Sequence, residues 1–375
     1  MDFPFDQNLR RNNKCWCGSG LKYKKCHLKK EDILELGKHE AIRMRKEEFK
    51  NKVCSAKSVI QPDCSGKIIE AHSVSKASSL KIIARDQHVY HFYVDPYLIE
   101  RKNSKLSPKL VGINKASTFN GFCSLHDKIL FSSIEDKDFI GETEQCFLLA
   151  YRTLCREYYL KKAAWKSIDY CRASAKNVGL YEVRKGLIDA SELGTALSVK
   201  TLGNKKHTFD DILVNKKFDK LKSIIIEFYI PPSVMASGGI YPEYSFDGLK
   251  LQNLAEISDK RDLLLFSTIG NKSGGAFVMS WLEEDNQACD LFVKSLKEKQ
   301  TNKYSNYIIR MLFEHCENIY LSPLWWDGLN AKTKENLIDK MMYTMNPMNQ
   351  RLPNCLVEDG IHYDEWKVEK IKGKI

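Results

Sequence analysis

Three cysteines and a histidine lie within thirteen residues near the start of this 375-residue chain. Three thiolates and one imidazole at this density are typical of a tetrahedral zinc site. A fragment this short buries no core, so metal binding has to supply most of its folding free energy. The sequence therefore predicts a Zn²⁺ bound by Cys15, Cys17, Cys26 and His27.

A second group of metal-ligand residue types is spread further along the chain. Cys54 and Cys64 precede a predicted strand, whereas Cys123 and His126 have a C-x-x-H spacing at the start of an apolar helical stretch. A distant first pair of ligands, intervening strands and a second pair on one helical turn are typical of a treble-clef zinc fold. We therefore predict a second Zn²⁺ bound by Cys54, Cys64, Cys123 and His126.

The first cluster closely resembles a known zinc-binding family, the SEC-C motif. That family has the pattern R-N-x-x-C-x-C-G-S-G-x-K-Y-K-x-C-H, which this sequence matches from Arg11 to His27. The motif was first known from the tail of the bacterial preprotein translocase motor SecA. The resemblance implies a zinc module that contacts an acidic partner, such as a SecB-like chaperone, a ribosome or a nucleic acid.

The second cluster distantly resembles the HNH endonuclease fold. In that family a histidine on the first strand activates water, an asparagine orients the loop, and a helix residue holds a divalent cation. The resemblance assigns these roles to His72, Asn120 and Asp127, with Mg²⁺ or Mn²⁺ as the catalytic ion. The interval from His72 to Asn120 is longer than in the family, and Asp127 stands where a histidine is common.

Three interpretations of this second region stay open. In the first, a zinc-supported nuclease is built around His72. In the second, the zinc only holds a binding domain together, as closed four-ligand zinc sites usually do. In the third, His72 is itself a zinc ligand, and either Cys64 or His126 is not.

Positive charge is concentrated towards the start of the chain. Residues 1–138 carry 26 Lys+Arg against 17 Asp+Glu, whereas the remainder carries 33 against 31. A field of one sign favours a polyanion such as nucleic acid, or an acidic protein surface. We predict that such a partner is contacted by Arg10, Arg11, Lys22, Lys24, Lys25, Lys29 and Lys30.

The hydropathy of the sequence indicates in which cellular compartment the protein is expected. No apolar run approaches the roughly 20 residues of a membrane span, and the first residues lack the apolar centre of a signal peptide. We therefore expect a cytoplasmic protein with no membrane partner. In that compartment the twelve cysteines are reduced thiols or metal ligands. The oligomeric state does not follow from the sequence.

Periodicity predicts an α+β architecture. Residues 139–175 have a long helical pattern, strands are predicted at 222–230 and on both sides of the GNKSGG turn, and PPSVMASGGIYPE reads as a loop or irregular edge strand. We predict five segments: a SEC-C zinc finger at 10–30, a linker helix at 31–53, a treble-clef or HNH-like zinc domain at 54–138, a helical and antiparallel-sheet domain at 139–345, and a tail at 346–375 that frays.

Two functions from different classes follow. The first is a zinc protein of a bacterial cytoplasm that acts on nucleic acid, for which the resemblances imply HNH-like cleavage and a role in phage defence. The second is a non-catalytic adaptor with two structural zinc ions, which binds an acidic protein, a ribosome or a nucleic acid.

Overall fold

The computed structural model describes most of the chain, in two units of contiguous contacts. Unit 1 comprises residues 1–52 and 158–205, and unit 2 comprises residues 53–157 and 206–375. The described residues are 10–13, 21–26, 35–57, 59–93, 106–175, 181–256, 260–271, 273–345 and 349–373, with only the backbone of 181–184.

Ten α-helices occur in these described ranges, and the two longest run through residues of both units. The third helix continues a π-helical turn at Lys76–Leu80. The bounds are α1 Tyr23–Cys26, α2 Lys38–Glu48, α3 Lys81–Ile83, α4 Ser124–Glu135, α5 Thr143–Ala175, α6 Tyr181–Asn215, α7 Asn286–Lys297, α8 Tyr304–His315, α9 Pro323–Gly328 and α10 Ala331–Met345.

Two antiparallel sheets form among the described residues of unit 2. The small sheet pairs β1 with β4, and the large sheet has eight strands in the order β10-β5-β8-β7-β6-β9-β2-β3. The architecture is therefore α+β, as the sequence predicted. The bounds are β1 Ile68–His72, β2 His88–His91, β3 Lys109–Gly112, β4 Thr118–Cys123, β5 Leu221–Phe228, β6 Val234–Ile240, β7 Leu264–Asn271, β8 Gly274–Leu282, β9 Ile319–Leu321 and β10 Val368–Lys372.

The largest hydrophobic core of unit 2 lies between the eight-stranded sheet and a layer of helices. Cys289, Phe292, Val293 and Leu296 recur at the spacing of one face of α7 and are fully buried. They share this core with α8, α10 and the central strands. The hairpin predicted around GNKSGG is confirmed, because β7 and β8 pair from Leu265↔Ser280 onwards.

Strand β6 corrects the prediction of a loop or irregular edge strand. It lies inside the large sheet, between β7 and β9. A Cβ at Gly238 would lie 3.0 Å from the Phe266 ring and 3.3 Å from the Cys316 sulfur. Gly238, whose presence favoured the prediction of a loop, is needed in this strand because neighbouring side chains pack closely against its backbone.

The strand pairings also correct two predicted boundaries. The tail does not fray as a whole, because β10 pairs with β5 and Trp366 just before it is 1% exposed. The segments 54–138 and 139–345 are not separate bodies, because β2 pairs with β9 in the shared sheet. Such pairings join residues far apart in sequence, which local patterns do not encode.

A buried polar network joins the small sheet to the large one. Ser73, directly after β1, bonds through its hydroxyl to the hydroxyl of Ser117, with the oxygens 2.6 Å apart. The side-chain amide of Asn318 donates to the hydroxyls of Ser73 and Ser237, at 3.0 and 2.8 Å. Asn318 thereby satisfies polar groups that are buried between the sheets.

Unit 1 is helical in the part that the structure describes. The hydroxyl of Tyr159 on α5 donates to the carbonyls of Phe49 and Asn51, at 2.7 and 2.9 Å. The segment predicted to be a linker helix contains α2, and the Leu36 N–H before this helix donates to the Ala173 carbonyl. No helix in the described ranges is long and apolar enough to span a bilayer.

Candidate metal centre

Four side chains from the second predicted cluster converge at one point in unit 2. The ligand atoms of Cys54, Cys64, Cys123 and His126 all lie within 4.8 Å of one another. The Cys54 sulfur and His126 Nδ1 are 3.3 Å apart, whereas two ligands of a tetrahedral zinc ion lie ~3.5–3.8 Å apart. The arrangement has the size and the donor types for a single zinc ion.

The small sheet and α4 position these ligands. Strand β1 pairs with β4 at Ile68↔Cys123, and α4 begins directly after Cys123. The Cys123 sulfur accepts a hydrogen bond from the His126 N–H, so the first turn of α4 orients two ligands together. The N–H of Ser55 donates to the Gly121 carbonyl at 2.8 Å, which holds the Cys54 segment beside β4.

The ring of His126 is fixed in one tautomer. Its Nε2 lies 2.8 Å from the carbonyl oxygen of Pro62, so this nitrogen carries the proton and donates. Nδ1 therefore has its lone pair available on the side that faces Cys54. The ring is fully buried. In a metal-binding histidine, the ring nitrogen that does not bind the metal usually donates a hydrogen bond to such a carbonyl or to a carboxylate.

Without a bound metal ion, the pKa values of the Cys54 and Cys123 thiols shift in opposite directions. Burial raises the pKa of Cys123, but hydrogen bonds from Ser65 and from the His126 N–H outweigh burial and lower the pKa to about 6. Burial raises the pKa of Cys54 to about 11, and the neighbouring Cys123 thiolate adds to this rise. A bound divalent cation removes the repulsion, because it stabilises every thiolate in contact with it.

The N-terminal cluster is only partly within the described residues. Cys15, Cys17, His27, Lys29 and Lys30 lie outside them, and Cys26 ends α1. Backbone hydrogen bonds from Tyr23 to Asn13 and from Lys24 to Arg11 hold the two ends of the segment together, at 2.8 and 2.9 Å. The side chains of Arg10, Arg11, Lys22 and Lys25 are exposed, and Lys24 is half-buried.

His72 lies outside the group of four ligands. It ends β1, is half-buried, and its Nε2 is 3.1 Å from the Ile113 carbonyl oxygen. Burial lowers the pKa of His72 below 6.5. Asn120 lies on β4, where its carbonyl accepts a hydrogen bond from the Val53 N–H at 3.1 Å. This bond helps to position the Cys54 segment. It uses the backbone of Asn120, so it gives no support to the predicted catalytic role of the side chain.

Two charged residues that the sequence analysis missed act on both His72 and Asp127. Glu135 of α4 is ion-paired with Arg152 of α5, whose side chain is 3% exposed. The hydroxyl of Ser75 donates to the same carboxylate at 2.7 Å. Burial raises the pKa of Asp127 to about 6, with Arg152 opposing and Glu135 adding to the rise. Electrostatic interactions with Arg152 and Glu135 also reach His72.

Signals for these two residues were present but weak. Glu135 follows Asp127 by eight residues, which is the same face of α4, and Arg152 is a single cation within an apolar helical stretch. Ser75 and Arg152 also line a cavity of about 40 Å³, which is large enough for water. The ion pair between Glu135 and Arg152 depends on how α4 packs against α5, which the sequence pattern does not define.

Comparison with known proteins identifies one feature of the chain. A family model described as the SEC-C motif matches residues 11–29, so the chain carries a zinc-binding motif of this type. No curated protein and no solved structure matches the chain.

Proposed function

We propose that this chain is a zinc-stabilised nucleic-acid-binding protein whose unit 1 holds the polyanion. The distribution of charge between the units carries the proposal. Unit 1 contains 23 Lys+Arg against 12 Asp+Glu, a net charge of +11, whereas unit 2 contains 36 against 36 and is neutral. The whole excess of positive charge therefore belongs to the unit that includes the SEC-C motif.

This concentration favours a dense polyanion. A phosphate backbone carries closely spaced charges and releases condensed counterions when lysines and arginines bind it. The exposed side chains of Arg10, Arg11, Lys22 and Lys25 extend from the SEC-C segment. The zinc ion of that motif is proposed to keep these side chains in one arrangement, because so short a segment has no core of its own.

The second zinc ion is proposed to be structural. Three thiols and one imidazole complete a tetrahedral set and leave no position for water or substrate. Its role is to hold the Cys54 and Cys64 segments against β4 and α4.

Neutralisation of the basic SEC-C side chains tests the proposal. In the variant Arg10→Gln, Arg11→Gln, Lys22→Gln and Lys25→Gln, we expect affinity for a fluorescent oligonucleotide to fall roughly 100-fold at ~50 mM salt, because four phosphate contacts are lost. The matched control replaces four exposed lysines of unit 2 by glutamine, namely Lys217, Lys220, Lys297 and Lys332.

Both variants change the net charge by the same amount. An equal loss of affinity in the control would show a diffuse charge effect and contradict the assignment to unit 1. Zinc content, measured in each variant, establishes that the SEC-C segment is still folded. Tighter binding of polyglutamate than of the oligonucleotide would replace nucleic acid by an acidic protein as the partner.

A second candidate activity, metal-dependent phosphodiester hydrolysis, is favoured by the surroundings of His72. Its Nε2–H donates to the Ile113 carbonyl, which leaves Nδ1 free to take a proton from water. Its lowered pKa keeps the ring neutral at pH 7. Asp127 offers a carboxylate for Mg²⁺ or Mn²⁺.

This activity is tested with plasmid, single-stranded DNA and RNA in the presence of Mg²⁺ or Mn²⁺. We expect His72→Gln to lower the cleavage rate by about 10²–10⁴-fold, and the exposed control His88→Gln to cleave normally. Because burial lowers the pKa of His72, the wild-type rate should fall at a more acidic pH than it would with an unperturbed histidine as the base. Absence of cleavage, or equal rates for His72→Gln and wild type, would exclude His72 as a catalytic base.

A further inference from the structure

One face of α5 in unit 1 combines aromatic rings with unpaired lysines. Tyr158, Lys162 and Trp165 follow one another at the spacing of a single helix face. The Lys162 ammonium lies 5.0 Å from the centroid of the Tyr158 ring. Lys161 and Lys166, which flank Trp165, are exposed like Lys162.

Trp165 is the most exposed tryptophan among the residues that the structure describes. It is 40% exposed, whereas Trp325 is half-buried and Trp281, Trp326 and Trp366 are between 0 and 6% exposed. Burial of a large aromatic side chain against a partner lowers the free energy, so an exposed one beside charged groups marks a contact surface.

The lysines of this face are available to a partner. Among the residues that the structure describes, no carboxylate forms an ion pair with Lys161, Lys162 or Lys166. The surface therefore offers three cations next to a flat ring, within the unit that carries the whole positive excess.

We propose that the Tyr158–Lys166 face of α5 binds single-stranded nucleic acid, with Trp165 stacked on a base and the lysines on flanking phosphates. The inference rests on the proposed nucleic-acid binding and specifies its substrate class. A single strand exposes the faces of its bases, and aromatic side chains in basic grooves bind them without sequence preference. A duplex keeps those faces stacked inside, and the aspartate and glutamate side chains of an acidic protein surface have no flat ring to stack on the indole.

Substitution of Trp165 in the full chain tests the assignment. We expect Trp165→Ala to weaken binding of a fluorescent oligo(dT) by about tenfold or more, and Trp165→Phe to retain most of the affinity, because phenylalanine also stacks. Affinity for a matched duplex should change by less than about threefold, because its bases are not accessible. The control Tyr229→Ala removes an aromatic ring that is 60% exposed in unit 2 and should change neither affinity.

The outcomes separate this inference from the proposed function. If Trp165→Ala binds oligo(dT) like wild type while the SEC-C charge variant has lost affinity, the stacking surface is wrong and nucleic-acid binding stands. If the unaltered protein binds neither oligo(dT) nor duplex, the proposed function fails and the inference fails with it. Equal losses for single strand, duplex and polyglutamate in Trp165→Ala would also overturn base stacking.

Discussion

Replacement of Cys123 by serine is expected to remove the zinc ion proposed for the Cys54, Cys64, Cys123 and His126 site and to destabilise unit 2. Cys123 contributes to the site in three ways. It pairs with Ile68 across the small sheet, it directly precedes α4, and its sulfur accepts a hydrogen bond from the N–H of His126. Zinc binding contributes directly to folding free energy. We expect a loss of about 5 kcal/mol, or roughly 10 °C in the Tm of a body of this size.

Metal content by mass spectrometry and thermal unfolding check this result together. The matched control is Cys171→Ser, which alters a half-buried thiol of unit 1 that is not one of the four ligands. It should retain both zinc ions and lose little stability. If Cys123→Ser still binds two zinc ions per chain, the assignment of Cys54, Cys64, Cys123 and His126 as a zinc site is wrong.

Replacement of Arg172 by methionine is expected to destabilise unit 1 by about 3–5 kcal/mol, the usual cost of removing one partner of a buried ion pair. Arg172 on α5 is ion-paired with Asp189 and with Glu192 on α6. The side chain of Glu192 is 2% exposed and lies 2.7 Å from the guanidinium nitrogen. Without Arg172 this buried carboxylate would lose the ion pair that stabilises its charge.

A second substitution makes this expectation specific to charge. The double variant Arg172→Met, Glu192→Met should recover much of the lost stability in denaturant unfolding, because it also removes the buried carboxylate that has lost its ion pair with Arg172. Arg43→Met serves as the control, since Arg43 is 74% exposed and 3.8 Å from Glu40. If the double variant is no more stable than Arg172→Met, lost packing explains the effect better than a buried charge.

The sequence was sufficient where the chemistry is local. The C-x-x-H spacing of Cys123 and His126 predicted a helix start with two ligands, because one helical turn brings such residues together. The contact from His126 to the Pro62 carbonyl could not be predicted in the same way. It spans 64 residues and depends on how the Cys64 loop closes against the sheet.

The sequence was least informative where distant segments meet. Gly238 reads as a strand breaker, yet in β6 it makes room for Phe266 and Cys316. The tail at 346–375 was predicted to fray, yet Lys370 and Lys372 lie on β10 opposite Glu227 and Ile225. In each case a long-range contact overrides the local preference of the residue.

The salt dependence of oligonucleotide binding by the unaltered protein tests the central claim most directly. The measurement is a fluorescence-anisotropy titration repeated at increasing KCl concentration. If unit 1 binds the phosphate backbone, log K should fall linearly with log[KCl], with a slope of about −0.7 to −0.9 for each phosphate contacted. Failure to bind at low salt, or an affinity that does not change with KCl, would contradict the account.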